Sequence, residues 1–117
     1  MSDQWKRICK VSDIPVLGAR VLKRANLPDI AVFRNGEDKV FALLDRCPHK
    51  GGPLSQGMVL GERVACPLHN WQIGLESGCA LAPDEGCAQT FRVHQEEGQV
   101  FLDAEELELA PAPAGAA

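Results

Sequence analysis

Two boxes of the sequence share one pattern of residue types: residues 47–54 read CPHKGGPL and residues 66–71 read CPLHNW. Each box begins with a Cys-Pro pair and has a histidine two or three positions after the cysteine. The full pattern is C-x-H, then sixteen residues, then C-x-x-H. Thiolates and imidazoles are common ligands of transition metals. The pattern therefore predicts a metal centre held by Cys47, His49, Cys66 and His69 on two loops.

Two kinds of metal centre fit this set of ligands. A [2Fe–2S] cluster can take two cysteines on one iron and two histidines on the other, whereas a zinc ion can take all four in a tetrahedron. Zinc sites usually group like ligands, and the order here alternates Cys, His, Cys, His. We therefore favour the cluster, for which each loop must reach both irons. Gly51 and Gly52 would let backbone N–H groups approach the bridging sulfides.

Turn residues separate many short runs, which is typical of an all-β domain. The chain has 117 residues, enough for one domain with a modest core. No long 3.6-residue periodicity predicts a helix, and only residues 105–109 suggest a short helical turn. The predicted strands are residues 5–11, 19–23, 30–34, 40–44, 63–65, 71–75, 79–81, 89–95 and 99–103.

Charge and hydropathy narrow the range of partners. The chain has 12 basic and 16 acidic residues, which argues against a general nucleic-acid binder. No run of apolar residues is long enough to span a membrane, and no apolar signal segment follows Lys6 and Arg7. We therefore expect a cytoplasmic protein that binds neither nucleic acid nor membrane.

Five cysteines form an odd set. A reducing compartment disfavours structural disulfides, so Cys79 and Cys87 are predicted to be two free thiols on either side of a turn. Cys9 is predicted to be a small buried residue within the first strand. His94 is predicted to be a surface imidazole, because it has no cysteine or histidine close by in the sequence.

The two boxes resemble those of Rieske iron–sulfur domains. Several further segments are similar to the small subunit of NAD(P)H-dependent assimilatory nitrite reductase: CPLHNWQI at residues 66–73, Gly78, PDEGC at residues 83–87 and TFRV at residues 90–93. The resemblance runs from Trp5 to Asp103. Some members of that family have lost the cluster ligands, and this chain keeps all four.

The resemblance implies a fold. It is an antiparallel β-sandwich over residues 1–104, with a small cluster-binding subdomain at about residues 45–80. Residues 105–117 are acidic and then rich in alanine and proline, and we expect them to form a flexible tail.

The resemblance also implies a partner, a large subunit that holds FAD, a [4Fe–4S] cluster and sirohaem and reduces nitrite to ammonium. This chain has no G-x-G-x-x-G and no P-loop, so it would be an electron-transfer or accessory subunit without a substrate site of its own.

One alternative is a stand-alone Rieske ferredoxin that works with a ferredoxin reductase and a ring-hydroxylating dioxygenase. In those proteins the second box more commonly has glycine where this chain has Asn70. A zinc-loaded or vestigial scaffold is a third interpretation.

High-potential Rieske proteins have an extra cysteine in each loop, and these two cysteines form a disulfide. Gly52 and Leu68 stand at those positions here, and the chain contains no tyrosine to donate a hydroxyl toward the cluster. Fewer hydrogen bonds to the sulfurs predict a potential near the low end of the Rieske range of about −150 to +300 mV.

The exposed imidazole edges of His49 and His69 would face a redox partner. Lys50, Pro53, Leu68 and Asn70 would frame them, while Leu54 and Trp71 shield the cluster from water.

Overall fold

The computed structural model describes residues 5–24, 27–47, 53–66, 71–81 and 86–108. The elements are β1 (Trp5–Lys10), β2 (Gly18–Arg24), β3 (Leu27–Arg34), β4 (Val40–Leu44), β5 (Met58–Leu60), β6 (Arg63–Ala65), β7 (Gln72–Gly74), β8 (Thr90–Phe91), β9 (Val93–Glu96), β10 (Gln99–Asp103) and α1 (Ala104–Glu108). Two 3-10 turns lie at Val11–Asp13 and Leu54–Gln56. No helix within the described ranges is long and apolar enough to cross a membrane.

The strands form three antiparallel sheets. The outer sheet has the order β1-β10-β9, the central sheet β2-β3-β4-β8, and the small sheet β5-β6-β7. Tight turns connect neighbouring strands, as at Asn35, whose side chain accepts hydrogen bonds from the N–H groups of Glu37 and Lys39, both at 2.9 Å. The all-β antiparallel fold predicted from the sequence is confirmed.

The central sheet is covered on both faces. Alternate residues of β3 and β4 pack against the small sheet on one face, among them Phe33 and Leu43. The residues between them, such as Val32 and Ala42, pack against Val100 and other residues on the far side. Every residue of β4 is therefore buried. This explains why VFALL is a continuous apolar run rather than an alternating one.

Several strand predictions differ from the structure. The predicted strand 79–81 is not a strand, since Cys79 and Ala80 form only isolated bridges. The run 89–95 is broken at Arg92, whose backbone N–H donates to the Glu106 carboxylate at 2.8 Å and whose guanidinium pairs with the buried Asp103. These bonds to Glu106 of α1 and Asp103 of β10 hold Arg92 between the two strands, and β8 and β9 join different sheets. Strand β5 was not predicted, because its first and last residues, Met58 and Leu60, are exposed and apolar and leave no alternating pattern.

Cys79 and Cys87 form a disulfide, so the prediction of two free thiols was wrong. They lie opposite each other in an antiparallel bridge. The Ala80 N–H donates to the Gly86 carbonyl at 2.8 Å, and the Ala88 N–H donates to the Gly78 carbonyl at 2.7 Å. Cys79 and Cys87 thus occupy a non-hydrogen-bonded pair, where side chains across an antiparallel ladder approach most closely. Sequence separation alone does not reveal this pairing.

We call residues 78–81 and 86–88 the junction hairpin, because they connect two sheets. On one side, Ala80 pairs with Ile73 of β7, and the Leu81 N–H donates to the Gln72 carbonyl at 2.9 Å. On the other side the chain continues to Gln89, whose carbonyl accepts the Leu44 N–H at 2.8 Å, and then to β8, which pairs with β4. The junction hairpin therefore ties the small sheet to the central sheet.

Gly78 and Gly98 offer a matched test of this junction. Both have φ near +76°, but a Cβ on Gly78 would lie 2.3 Å from the Ala88 carbonyl oxygen, whereas a Cβ on Gly98 meets nothing within 4 Å. We expect Gly98→Ala to cost about 1 kcal/mol, from backbone strain alone. Gly78→Ala adds a backbone clash, so we expect about 3 kcal/mol or more. Urea unfolding of both variants measures the difference, and equal costs would contradict the close approach.

Candidate metal centre

Two cysteines of the predicted ligand set come from different sheets and meet in one core. Cys47 lies three residues beyond the end of β4 in the central sheet, and Cys66 directly follows β6 in the small sheet. Their exposed fractions are 1% and 0%, and both belong to the same buried apolar cluster. Leu54, Val59 and Ile73 are part of that cluster. The fold therefore brings the cysteines of the two boxes into one apolar environment.

The second box is closed at its base. The Cys66 N–H donates to the Trp71 carbonyl at 2.7 Å, so the first and last residues of CPLHNW lie side by side. Trp71 is half-buried and packs against the same apolar cluster. β7 begins directly after Trp71 and pairs with β6, which directly precedes Cys66. The box is therefore the connection between two paired strands, with its ends held together by the sheet.

The first box is closed by a side chain that the sequence analysis did not single out. The Asp45 carboxylate accepts the Ser55 backbone N–H at 2.7 Å through Oδ1, and the Ser55 hydroxyl at 2.8 Å through Oδ2. Asp45 lies two residues before Cys47, and Ser55 lies directly after the box. The Asp45 N–H in turn donates to the Asp29 carbonyl at 2.9 Å. Asp45 thus joins the two ends of the loop and fixes them to the end of the central sheet.

Gly57 places the end of the first loop beside the start of the second. A Cβ at this position would lie 2.2 Å from the Ala65 carbonyl oxygen, so only glycine allows this approach. Ala65 immediately precedes Cys66. The signal for Asp45, Ser55 and Gly57 was present in the sequence as D-x-C before the first box and S-x-G after it. The spacing alone does not predict that Asp45 contacts Ser55 or that Gly57 approaches the end of β6.

The donor chemistry of the described residues suits a metal–sulfur centre. Cys47 and Cys66 belong to the apolar cluster described above, while the disulfide of the described ranges joins Cys79 to Cys87. A thiolate buried among apolar side chains needs a cation to offset its charge, and iron or zinc supplies one. His49 and His69 lie outside the described residues, as do Gly51, Gly52, Lys50, Leu68 and Asn70. The described ranges contain no group of three or more metal-binding side chains, and they supply two of the four predicted ligands.

The remaining cysteine and the described histidine lie elsewhere. Cys9 is 3% exposed and belongs to the cluster on the opposite face of the central sheet, as predicted for a small buried residue. Burial raises the pKa of its thiol, and the nearby Arg20 partly opposes this shift. His94 is on the outer sheet, with its ring 5.4 Å from that of Trp5 and 5.7 Å from that of Phe101. Its side chain is 43% exposed, as predicted for a surface imidazole.

A family model for the Rieske [2Fe–2S] domain matches residues 4–92, a range that contains both boxes. The chain belongs to the Rieske [2Fe–2S] domain family. Its cofactor is therefore a Rieske-type cluster, and the chain is an electron-transfer domain. The buried pair Cys47 and Cys66 fits the thiolate half of such a cluster, in which two cysteines bind one iron and two histidines the other.

Curated relatives include Rieske ferredoxins of similar length. Ferredoxin CarAc of Metapseudomonas resinovorans is 30% identical over 107 residues, covering 91% of this chain and 99% of that protein. The ferredoxin subunit of 3-phenylpropionate/cinnamic acid dioxygenase from Shigella flexneri is 35% identical, covering 84% of this chain and 92% of that protein. Other relatives are longer: the chain spans about a fifth of the chloroplast protein TIC 55 of Pisum sativum and of a 4β-methylsterol monooxygenase of Methylococcus capsulatus.

Solved structures have the same fold. The ferredoxin–oxygenase complex of carbazole 1,9a-dioxygenase matches with a TM-score of 0.75 and 29% identity, covering 86% of this chain and 93% of the matched one. A structure assigned as the small subunit of an NADPH nitrite reductase matches with a TM-score of 0.72 and 26% identity, covering 84% and 96%. The Rieske family thus includes similar chains from two kinds of redox system.

Asp45 and Asp13 allow a matched test of the first loop. Each carboxylate accepts a backbone N–H at a 3-10 turn, Asp13 from Lys10 at 2.9 Å and Asp45 from Ser55 at 2.7 Å. Asp45 also closes the loop that contains the predicted ligand Cys47. We expect Asp45→Ala and Asp13→Ala each to lose about 1 kcal/mol of stability. Asp45→Ala should also shorten the half-life of the cluster, because the loop that carries Cys47 loses its closing contact. We expect a factor of about ten, the lower end of the affinity loss seen when the surroundings of a metal site are altered.

The half-life is measured as the decay of visible absorbance in the presence of an iron chelator, with urea unfolding of the apo-proteins alongside. Equal cluster half-lives in the two variants would show that the Asp45–Ser55 contact only stabilises the fold.

Proposed function

We propose that this chain is the Rieske small subunit of an NAD(P)H-dependent nitrite reductase, which reduces nitrite to ammonium in nitrate assimilation. The partner would be a large subunit that holds FAD, a [4Fe–4S] cluster and sirohaem. Cys47 and Cys66 would bind one iron of the [2Fe–2S] cluster, and His49 and His69 the other. The burial of Cys47 and Cys66 in one apolar cluster, at the ends of strands from two sheets, supports the cluster ligation. The resemblance of CPLHNW and PDEGC to that small subunit carries the choice of partner.

The chain's own residues would hold and shelter the cluster. When bound, the cluster supplies one-electron transfer. Cys47 and Cys66 would bind as thiolates, and the apolar side chains of Leu54, Val59 and Ile73 keep water from the sulfurs. Trp71 packs over the same cluster of side chains and would add to this cover. Asp45 and the closed base of the second box would fix the two sulfurs in place.

Two kinds of evidence support a nitrite reductase subunit. The segments CPLHNW and PDEGC resemble that family. The match to the structure assigned as a nitrite reductase small subunit extends over 96% of that structure's chain. The second candidate function is a Rieske ferredoxin that serves an oxygenase. The similarity to the ferredoxins of two dioxygenase systems, over 92% and 93% of their length, favours it. The two functions share the cluster and differ in the partner.

The ligand assignment is tested by single substitutions. We expect Cys47→Ser, Cys66→Ser, His49→Ala and His69→Ala each to lose most of the iron, since each removes one of the bonds that hold the cluster. Cys9→Ser is the matched control, because Cys9 is equally buried but lies across the central sheet. Iron is counted per chain after anaerobic reconstitution. Full iron in any ligand variant would remove that residue from the set.

The partner is tested by capturing the tagged chain from cells of the source organism grown on nitrate. Recovery of a sirohaem protein, and nitrite-dependent oxidation of NAD(P)H that falls when Cys66→Ser replaces the natural chain, would support the proposal. Recovery of a flavin reductase with an oxygenase would contradict it and establish the ferredoxin function instead. Normal activity with Cys66→Ser in the sirohaem complex would show that the chain supports the large subunit without carrying its electrons.

A further inference from the structure

We propose that the Cys79–Cys87 disulfide is a reducible clamp on the cluster site. A dithiol reductant opens this clamp by reducing the disulfide, and the protein then holds the cluster less tightly. This inference rests on the proposed cluster ligation and adds a regulation to it. The clamp lies outside the two ligand boxes. It differs from the disulfide of high-potential Rieske proteins, which joins the ligand loops themselves.

The position of the disulfide carries the argument. Cys79 accepts the Gly74 N–H at 2.9 Å through its carbonyl, so it is bonded to β7, the strand that follows the second box. Cys87 stands two residues before Gln89, which is bonded to Leu44 at the end of β4, the strand that precedes the first box. A path of paired backbone therefore runs from the Cys66 sheet to the Cys47 sheet. The disulfide is a covalent cross-link between the two arms on that path.

Without the disulfide, two backbone hydrogen bonds join the arms of the junction hairpin among the described residues. The Ala80 N–H to Gly86 carbonyl and Ala88 N–H to Gly78 carbonyl bonds remain. A short ladder of this kind opens locally far more often than a core strand does. Opening it would let the small sheet move against the central sheet. The distance between the two ligand sulfurs depends on that relative position.

The two cysteines of the disulfide are more accessible to a reductant than the other three cysteines are. Cys79 and Cys87 are each partly exposed, whereas Cys47, Cys66 and Cys9 are between 0% and 3% exposed. A reductant must reach a sulfur to attack it, and accessible disulfides are the ones that exchange readily. A dithiol can therefore open the clamp while the ligand thiols stay out of reach.

The reaction is a thiol–disulfide exchange. A thiolate of the dithiol attacks one sulfur of the pair, the bond between Cys79 and Cys87 breaks, and a mixed disulfide forms. The second thiol of the reductant then attacks the mixed disulfide and leaves as part of a new disulfide. Two electrons and two protons pass from the reductant to the sulfurs of Cys79 and Cys87. In a reducing compartment the clamp would be open, and oxidising conditions would close it.

The test compares the natural chain before and after treatment with a water-soluble phosphine. The phosphine and one water reduce a disulfide to two thiols, and the water's oxygen ends in the phosphine oxide. Alkylation followed by mass spectrometry should show two newly labelled sites, Cys79 and Cys87. The cluster half-life in the presence of a chelator should then fall by about tenfold. The double variant Cys79→Ser/Cys87→Ser should have the short half-life from the start and not respond to phosphine. Cys9→Ser should respond as the natural chain does.

A cluster half-life unchanged by confirmed reduction would overturn the clamp. A second measurement on the apo-protein keeps this result separate from the cluster assignment. Reduction should speed hydrogen exchange at the Ala80 and Ala88 amides, and unchanged exchange would also overturn the clamp. If the chain takes up no cluster but these amides exchange faster after reduction, the proposed function fails while the opening of the junction stands. The chemical reduction needs no variant to fold, so failure of the double variant does not stop the test.

Discussion

Cys47 and Cys66 leave two different sheets and are buried in one apolar cluster, and this convergence constrains the parts of the fold around it. When a metal centre takes ligands from two sheets, the distance between those ligands depends on how the two sheets pack against each other. The central sheet meets this constraint by packing on both faces. That packing sets where the end of β4, and hence Cys47, lies relative to the small sheet.

Local contacts then complete the site where packing alone would leave loops open. The Asp45 carboxylate closes the first box, and the hydrogen bond from Cys66 to Trp71 closes the second. The Cys79–Cys87 disulfide closes the junction between the two sheets. The first two contacts lie close in sequence to a predicted ligand. None of the residues that make the three contacts, Cys66 aside, is itself a predicted ligand. The site thus depends on a surrounding set of residues that hold backbone rather than metal.

Much of this architecture was predictable from local pattern. The bounds of β4, β6 and β10 agree with the predicted runs 40–44, 63–65 and 99–103, because turn residues mark their ends. The all-β class and the burial of Cys9 followed from the same patterns. The break at Arg92, the strand β5 and the Cys79–Cys87 disulfide were not predictable in this way. Each depends on a residue distant in sequence or on pairing between segments, which residue order does not encode directly.

The structure describes some of the predicted ligands and not others. Spacing placed Cys47, His49, Cys66 and His69 in one set, and the structure brings the two cysteines of that set together. The two histidines lie outside the described residues and stay predictions. Asp45 was missed because a carboxylate beside a metal box is usually a surface residue, and only its contact with Ser55 reveals its place.

The most direct test of this account is the EPR spectrum of the anaerobically purified chain after reduction with dithionite, with iron and zinc counted on the same sample. The account predicts a Rieske-type signal with about two irons per chain and no stoichiometric zinc. One zinc per chain and no signal, even after cluster reconstitution, would contradict it. In that case the two buried cysteines would belong to a structural zinc site.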